Sequence, residues 1–259
     1  MKHTAFIFSL VVLISMMAII ITNNIEKVPK RLLSVQKYYS YLYEDDLEMK
    51  IPLYLNDIDH PIAHASSYDA ILLTNPDESK MIQLELSKIT YGYEEFYLNE
   101  KFYQMTLHLE LPNLGEDFLI EDLVMKVSLV NGDSYEFSLG VLSLMSITSD
   151  SDALDWSALE GRKNESLFIS RLKTIIIEYT TCLKEIDNIL IGIDSQVAFN
   201  VEQDQIVLTI VDQYILMDDV PIIIHYSDGS IQTIANFRYM FDYEILKDSG
   251  MLITPYALN

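Results

Sequence analysis

The stretch Met105-Thr106-Leu107-His108-Leu109-Glu110-Leu111 (residues 105–111) decides the fold class of this chain. Its apolar residues alternate with polar ones, and a period of two places each set on its own face of a β-strand. Antiparallel sheets with one buried and one solvated face give this alternation. The stretch therefore predicts a half-buried strand that directs Thr106, His108 and Glu110 outwards.

Comparable apolar stretches lie on both sides of it, separated by turn residues. Asn131-Gly132 and Asp228-Gly229 suit two-residue type I′ hairpin turns, because these residue types tolerate positive φ. Residues 182–193 suit either a short helix or a strand, and the helix is favoured. Further strands are predicted at 49–55, 70–73, 81–89, 123–130, 133–141, 167–179, 196–201, 205–211, 221–226, 230–237, 240–246 and 251–254. The fold is therefore expected to be mainly β.

The two halves of the chain share one order of features: a strand, an acidic turn, a second strand and a glycine turn. The acidic turns, 119–123 and 216–220, both read Leu-x-acid-Asp-apolar. Any antiparallel β protein shows hairpins at such spacing, but the shared turn favours a repeat. We expect an internal duplication, with two immunoglobulin-like antiparallel β-sandwich modules in tandem.

Residues 5–22, AFIFSLVVLISMMAIIIT, contain 18 consecutive residues without a charge. A helix of that length spans roughly 27 Å, close to the hydrocarbon thickness of a bilayer. A cleaved signal peptide has a shorter apolar core that is followed by a small-x-small cleavage site. We therefore expect an uncleaved transmembrane anchor and contact with the lipid bilayer through residues 5–22.

The orientation of this anchor follows from two opposing features. Lys27, Lys30, Arg31 and Lys37 follow the anchor and only Lys2 precedes it, which favours an inside location for the long C-terminal part. An anchor so close to the N-terminus usually sends the following domain across the membrane, and long domains translocate largely regardless of charge. We expect a single-pass protein of the cell membrane, with the bulk of the chain extracytoplasmic.

The polar, acidic stretch 148–166 shows no alternation and is the predicted boundary between the halves. Asp155 suits the cap of a short helix over residues 156–160. The predicted order is a short N-terminal tail (1–4), the anchor (5–22), a juxtamembrane connector (23–40), a first β-sandwich module (41–147), an acidic linker (148–166) and a second β-sandwich module (167–259).

The chain is strongly acidic, with a formal net charge of −22. Such a surface repels nucleic acids, so a nucleic-acid partner is excluded. The acidic residues are dispersed along the sequence, which favours a role in solubility. Cys182 is the single cysteine, so no intramolecular disulfide can form, and its apolar surroundings predict an inert thiol.

Asp57, Asp59, His60 and His64 are the candidate metal ligands, since two imidazoles near two carboxylates can bind zinc. Pro61 disfavours a helix across the two histidines, so a solvated loop is the simpler interpretation. No cofactor is expected.

Catalytic motifs are missing from the sequence. Asp150-Ser151-Asp152 does not continue with the spacing of an EF-hand, and no nucleophile elbow, zinc-protease, phosphate-loop or dinucleotide motif occurs. His108 and His225 are expected at outward strand positions. We therefore expect no catalytic residue and no enzyme.

An anchor, an exported β-rich domain and the lack of a catalytic motif indicate a binding or interaction module, or an accessory part of a membrane or cell-surface complex. The expected partner is a protein in or on the membrane. Two alternatives stay open, a small-ligand or cation-binding module that uses the acidic loops, and a carboxylate-dependent hydrolase.

Overall fold

A computed structural model describes residues 29–44, 47–163, 172–192, 195–210, 217–218, 220–234 and 245–259. Within these residues the chain is mainly β, as the alternating sequence predicts. The strands of the first half are β1 (Arg31–Val35), β2 (Lys37–Leu42), β3 (Glu48–Leu55), β4 (Tyr68–Thr74), β5 (Met81–Tyr97), β6 (Glu100–Glu110), β7 (Phe118–Leu129) and β8 (Ser134–Met145).

The second half continues with shorter strands and one short helix. Its elements are β9 (Leu154–Lys163), β10 (Leu172–Cys182), β11 (Ile186–Ile191), β12 (Ser195–Gln196), β13 (Ala198–Val201), β14 (Gln205–Thr209), β15 (Met217–Asp218), β16 (Ile222–Tyr226), β17 (Ile231–Ile234), α1 (Ile245–Ser249) and β18 (Ile253–Ala257).

Strands β1–β8 form the first sandwich, whose two layers are joined at both edges. β5 pairs with β4 through residues 81–84 and with β6 through residues 85–97, so it crosses from one layer to the other. β1 pairs with β3, whereas β2 pairs in parallel with β8, and Gln36 alone separates β1 from β2. The sheet therefore closes into the layers β1-β3-β6-β5 and β2-β8-β7-β4-β5.

The second sandwich consists of the sheets β13-β14-β10-β9 and β12-β11-β16-β17. Its strand order matches that of the first sandwich, and both follow the immunoglobulin arrangement of an A-B-E-D sheet against a C-F-G sheet. The predicted immunoglobulin-like β-sandwich architecture is thereby confirmed. The strands that carry the sequence similarity between the halves, β6 with β14 and β7 with β16, occupy equivalent positions.

The alternation at residues 105–111 is confirmed on its inward face. Met105, Leu107 and Leu109 are buried in the first sandwich. In the second sandwich the apolar core draws on both sheets, with Ile175 from one sheet and Ile222 from the other among its members. Each sandwich therefore buries its own interior.

The two sandwiches also share buried contacts. Tyr38 of β2 belongs to the core cluster of the second sandwich, and its ring lies so close to Gly192 that a Cβ there would collide with it. Leu42 and Met145 of the first sandwich cluster with Ile223 of the second. β15 adds a short parallel partner to β2 at the same place.

The C-terminal elements return to the first sandwich. Leu246 of α1 and Ile253 of β18 cluster with Leu33, Tyr54 and Phe102, and β18 lies beside β1 in the sheet order. The described part of the predicted strand 240–246 is the start of α1, so a strand there is wrong.

Three further secondary-structure predictions are wrong. Residues 182–193 form no helix, because β10 ends at Cys182 and β11 follows. The predicted linker (148–166) contains the edge strand β9, so Asp155 caps no helix. The predicted connector (23–40) contains β1 and most of β2. The module boundaries themselves stay predictions.

Both glycine hairpins have three-residue loops instead of the predicted type I′ turns. Gly132 N–H donates to the Leu129 carbonyl at 2.9 Å, and Leu129 N–H donates to the Asp133 carbonyl at 2.8 Å. Gly229 N–H likewise donates to the Tyr226 carbonyl at 2.9 Å. In these loops only the glycines have positive φ, +92° and +86°. This geometry is a type I turn followed by a G1 bulge.

The predicted anchor (5–22) lies outside the described residues. Among the residues that the structure describes, no helix is long and apolar enough to cross a membrane.

Substitution of either hairpin glycine is expected to destabilise the fold. Gly132→Val and Gly229→Val should each lower the free energy of unfolding by about 1–2 kcal/mol, because a β-branched residue is strained at positive φ. No heavy atom lies within 4 Å of a Cβ added at either glycine, so strain is the only cost. Chemical denaturation measures the change. Val130→Ala in the same loop is the control, and equal effects of all three substitutions would contradict the turn assignment.

The shared core predicts that a substitution in β2 weakens the second sandwich. Tyr38→Ala should destabilise the protein by about 3–5 kcal/mol, as truncation of a buried aromatic side chain does. Hydrogen exchange should then accelerate at the amides of β11 and β16. Tyr135→Ala, which removes an aromatic ring from the first sandwich only, is the control. Unchanged exchange in β11 and β16 after Tyr38→Ala would contradict the shared core.

Candidate functional site

Three loops meet at one end of the first sandwich, which we call the loop end: residues 56–67, 97–100 and 129–133. Arg31 joins two of them, because its N–H donates to Asn56 Oδ1 at 2.7 Å and its guanidinium donates to Glu100 Oε2 at 3.2 Å. Asn56 Nδ2 also donates to Glu100 Oε1 at 2.9 Å. The loop end is therefore the end at which β1 begins.

The third loop is held by a backbone contact, since Val130 N–H donates to the Ser67 carbonyl at 2.9 Å. The last residues of β5 approach the same place, where the Tyr91 hydroxyl donates to the Ala63 carbonyl. These bonds fix all three loops and the end of β5 to one another.

The loop end exposes five large apolar side chains. The exposed fractions are 46% for Ile58, 86% for Tyr93, 68% for Phe96, 81% for Leu98 and 69% for Val130. Single exposed apolar residues are ordinary, but a group of them at one place marks an interaction surface. We call these five residues the apolar loop-end residues.

These residues were not predicted from the sequence, although the sequence contains a signal for them. The run Tyr91-Gly92-Tyr93-Glu94-Glu95-Phe96-Tyr97-Leu98 is rich in aromatic residues but breaks the strict alternation of a half-buried strand. In the structure a register shift between Tyr91 and Glu94 interrupts the pairing with β6. Such a β-bulge re-aims the side chains that follow it.

The turn between β5 and β6 has an unusual residue at its tip. Leu98 and Asn99 have φ of +49° and +66°, which is the type I′ turn that the sequence predicted elsewhere. Asparagine tolerates this region, whereas leucine is strained in it. Leu98 is therefore unfavourable in two ways, in its backbone and in its exposure to water.

The two basic groups near the tip of the β5–β6 hairpin are both paired with carboxylates. Glu94 and Lys101 form an ion pair at 2.7 Å, and Arg31 and Glu100 form one at 3.2 Å. The hydrogen bond to Glu94 raises the pKa of Lys101. The hairpin thus presents apolar side chains and no unpaired basic group among Arg31 and Lys101.

The open edge of β5 is a poor site for adding a further strand. Among the described strands, residues 85–97 pair with β6 alone. Register shifts interrupt this pairing after Leu86 and after Tyr91, and Lys88 is exposed. Bulges and exposed lysines are the usual protection of an edge against strand addition.

The candidate metal ligands Asp57, Asp59, His60 and His64 lie in the loop 56–67, but the expectation of a solvated loop is wrong for His60. It is buried there, and its Nδ1 accepts a hydrogen bond from the Ile62 N–H at 3.2 Å. Asp57 Oδ1 accepts the N–H of Asp59 at 3.0 Å. His64 is exposed. The Nδ1 atom of His60 is thus used to cap a short 3-10 helix.

Across the residues that the structure describes, no three His, Cys, Asp or Glu side chains are grouped closely enough to hold a metal ion. One acidic cleft has a volume of about 300 Å³ and also contains a cation, Lys80. The Lys80 ammonium donates to the Leu119 carbonyl at 2.5 Å. The cleft is lined by Asn75, Pro76, Asp77, Lys80, Ile120, Glu121 and Asp122.

The prediction that His108 is an exposed surface residue is wrong. It is 8% exposed and lies between two partners on the outer face of the β3-β6-β5 layer. Its Nδ1 lies 2.8 Å from Glu48 Oε2 and its Nε2 lies 2.8 Å from Thr90 Oγ1. Ser87 Oγ also donates to Glu48 at 3.1 Å. We interpret the network as a cross-link between three strands.

The Glu48 carboxyl is held in its charged form by this network. Its burial raises its pKa, but hydrogen bonds from His108 and Ser87 outweigh that effect and leave the pKa below its ordinary value. The second sandwich has a comparable site, where the hydrogen bonds from Ser230 and Lys184 lower the pKa of Asp228.

The other residues noted in the sequence lie in the second sandwich. Cys182 is half-buried and its thiol donates to the Lys184 carbonyl at 3.1 Å. His225 is half-buried on β16, opposite Asn188.

No protein-family model matches this chain, and no curated protein matches it. Among solved structures, the chain is similar to the Bacteroides ovatus mixed-linkage glucan utilization locus protein SGBP-B in complex with a mixed-linkage heptasaccharide. The identity is 13%, with 78% of this chain and 42% of that chain covered, and the TM-score is 0.20.

It is also similar to fibronectin(III)-like modules of Clostridium thermocellum CbhA, at 10% identity, with 78% and 90% of the two chains covered and a TM-score of 0.21. The sialic acid binding region of a Streptococcus sanguinis adhesin matches at 8% identity, with 80% and 76% covered and a TM-score of 0.21. TM-scores at this level support no argument about the present chain.

The low pKa of Glu48 predicts a pH-dependent contribution to stability. A carboxyl whose pKa is lower in the folded state stabilises the fold above its unfolded pKa, and this contribution is lost as the pH falls through the folded value. Glu48→Gln should therefore lower the free energy of unfolding at pH 7 by about 1–3 kcal/mol. The difference from the natural protein should shrink below about pH 4.

Denaturant titrations at several pH values measure this effect. Glu110→Gln is the control, because Glu110 lies opposite Glu48 in the strand register and is exposed. An effect of Glu48→Gln that is constant from pH 7 to acidic pH would contradict the assigned role of the carboxylate.

Proposed function

We propose that this protein is a membrane-anchored, extracytoplasmic binding module that contacts its partner through the loop end of the first sandwich. The observation that carries the proposal is the exposure of large apolar side chains at one end of the first sandwich: Ile58, Leu98 and Val130 from three loops, and Tyr93 and Phe96 from the end of β5. Residues 5–22 supply the anchor, and the acidic remainder of the surface keeps the exported domain soluble.

The structure of the loop end supports a role in binding. Loops that are positioned by a rigid scaffold commonly carry recognition residues. Arg31, Asn56 and Glu100 hydrogen-bond to one another and fix the relative positions of two of these loops. A surface that is fixed before binding loses less conformational entropy on association.

Leu98 adds an independent argument. Its φ of +49° and its exposure of 81% both cost free energy in the isolated protein. Strained residues at exposed tips concentrate where binding requires them. A leucine at this position is explained when a partner covers its side chain.

The experiment is site-specific photo-crosslinking of the full-length chain in its native membranes. A photoreactive amino acid at position 98 should form covalent adducts, because the partner covers the tip of the β5–β6 hairpin. The same amino acid at position 183 is the control, since Leu183 is 77% exposed but belongs to the second sandwich. Mass analysis of the products measures the adducts.

The membrane topology is tested with the full-length chain in the same native membranes. The chain should stay in the membrane after a carbonate wash and should be digested by protease added to intact cells or spheroplasts. Equal crosslinking at positions 98 and 183, or none at either, would contradict the docking role. Release by carbonate, or protection from protease until lysis, would contradict the anchored, exported arrangement.

A further inference from the structure

We propose that the loop end binds the lipid bilayer itself, with the apolar loop-end residues inserted into the interfacial layer of the membrane that holds residues 5–22. This inference rests on the proposed function, because it needs both the anchor and the docking role of the loop end. It identifies the partner of that surface as lipid.

The first argument is the length of chain between the predicted anchor and the first sandwich. Residues 23–30 separate the anchor from Arg31, and a chain of that length spans at most about 29 Å when fully extended. Arg31 is bonded to the loops of the loop end through Asn56 and Glu100. The tether therefore enters the first sandwich at the loop end, within reach of the bilayer.

The direction of the strands gives the second argument. β8 begins beside the glycine loop 129–133 at the loop end and runs to Met145, which lies in the contact with the second sandwich. The second sandwich is thus joined to the first at the end opposite the loops. Within the described residues, the second sandwich therefore does not cover the loop end.

The third argument is the chemistry of the exposed side chains. Tyrosine is enriched at the level of the lipid head groups, where its apolar ring and polar hydroxyl are both satisfied. Phenylalanine and leucine are typical of the inserted face of proteins that lie on a membrane. Tyr93, Phe96 and Leu98 provide this combination on one hairpin, with exposed fractions of 68% or more.

Charge decides which lipids fit. The hairpin carries no excess of basic residues, because Lys101 is paired with Glu94 and Arg31 with Glu100. The nearby loops add Asp57, Asp59 and Asp133, and the whole chain has a net charge of −22. Anionic lipid would repel this surface. Insertion is therefore expected to be apolar and to prefer zwitterionic lipid.

The test uses tryptophan fluorescence of the full-length protein in vesicles of phosphatidylcholine. Trp156 is the single tryptophan of the chain, so Trp156→Phe removes the native tryptophan fluorescence. Leu98→Trp then reports on the hairpin tip, Val130→Trp reports on a second loop of the loop end, and Leu183→Trp in the second sandwich is the control. Brominated phosphatidylcholine serves as the quencher.

Tryptophan at 98 and at 130 should emit at shorter wavelength than at 183 and should be quenched roughly threefold or more strongly, because only the first two lie in the lipid. Replacing a third of the lipid with phosphatidylserine should weaken the quenching. Water-like emission and equal quenching at all three positions would overturn the inference. Quenching that grows with phosphatidylserine and disappears in salt would also overturn it, since it would show attraction by charge.

The outcome is separable from that of the proposed function. Protein adducts from position 98 in native membranes, together with no quenching in pure lipid vesicles, would support the docking role and overturn lipid as the partner. Lipid adducts at position 98 in native membranes, together with quenching in vesicles, would support both.

Discussion

Gln36 is the single residue between β1 and β2, and the closure of the first sandwich depends on this short crossing. β1 pairs in one layer and β2 in the other, so the chain must change layers within one residue. The crossing is held on both sides, because Gln36 N–H donates to the Leu252 carbonyl at 2.9 Å and its side-chain amide donates to Ser138 Oγ at 3.0 Å. Ser34 Oγ also donates to the Ser138 carbonyl at 2.7 Å. β1 is thereby fixed with its first residue among the loops, and β2 is directed towards the second sandwich.

The same crossing gives the two ends of the first sandwich different chemistry. At one end, Tyr38 and Leu42 of β2 pack in apolar clusters with residues of the second sandwich. The apolar side chains at this end are therefore buried. At the other end the apolar side chains of three loops and of the end of β5 stay exposed. Apolar surface is normally buried where the chain offers a partner, which is the basis for proposing another molecule as the partner of the exposed end. At the covered end, the second sandwich buries the apolar side chains of β2.

The sequence was sufficient for the mainly β fold and for the equivalence of the halves, because alternation and hairpin glycines are local signals. Pairings distant in sequence explain the errors. His108 follows the outward pattern of its strand, but Glu48 and Thr90 lie 60 and 18 residues away and cover it. Strand β9 was not predicted from the sequence, because it is an edge strand with an irregular register and mostly exposed side chains. The acidic turn at 119–123 is a register shift inside β7, which alternation cannot distinguish from a turn. Leu98 was missed because leucine is not a residue type that predicts positive φ.

The placement of charge and of apolar surface can be explained by one constraint on a tethered domain. In the proposed arrangement, the tether would hold the loop end at high effective concentration near the bilayer, so that even a weak apolar contact there would be populated without a large interface. A strong contact would be unnecessary, and the compensated pairs Glu94–Lys101 and Arg31–Glu100 keep the hairpin free of net attraction to anionic lipid. The dispersed acidic residues on the remaining surface then oppose adsorption of the sides of the domain. In the proposed arrangement it is the apolar side chains, and not the charge, that distinguish the loop end from the acidic sides of the domain, so the domain would stand on a zwitterionic bilayer in one orientation.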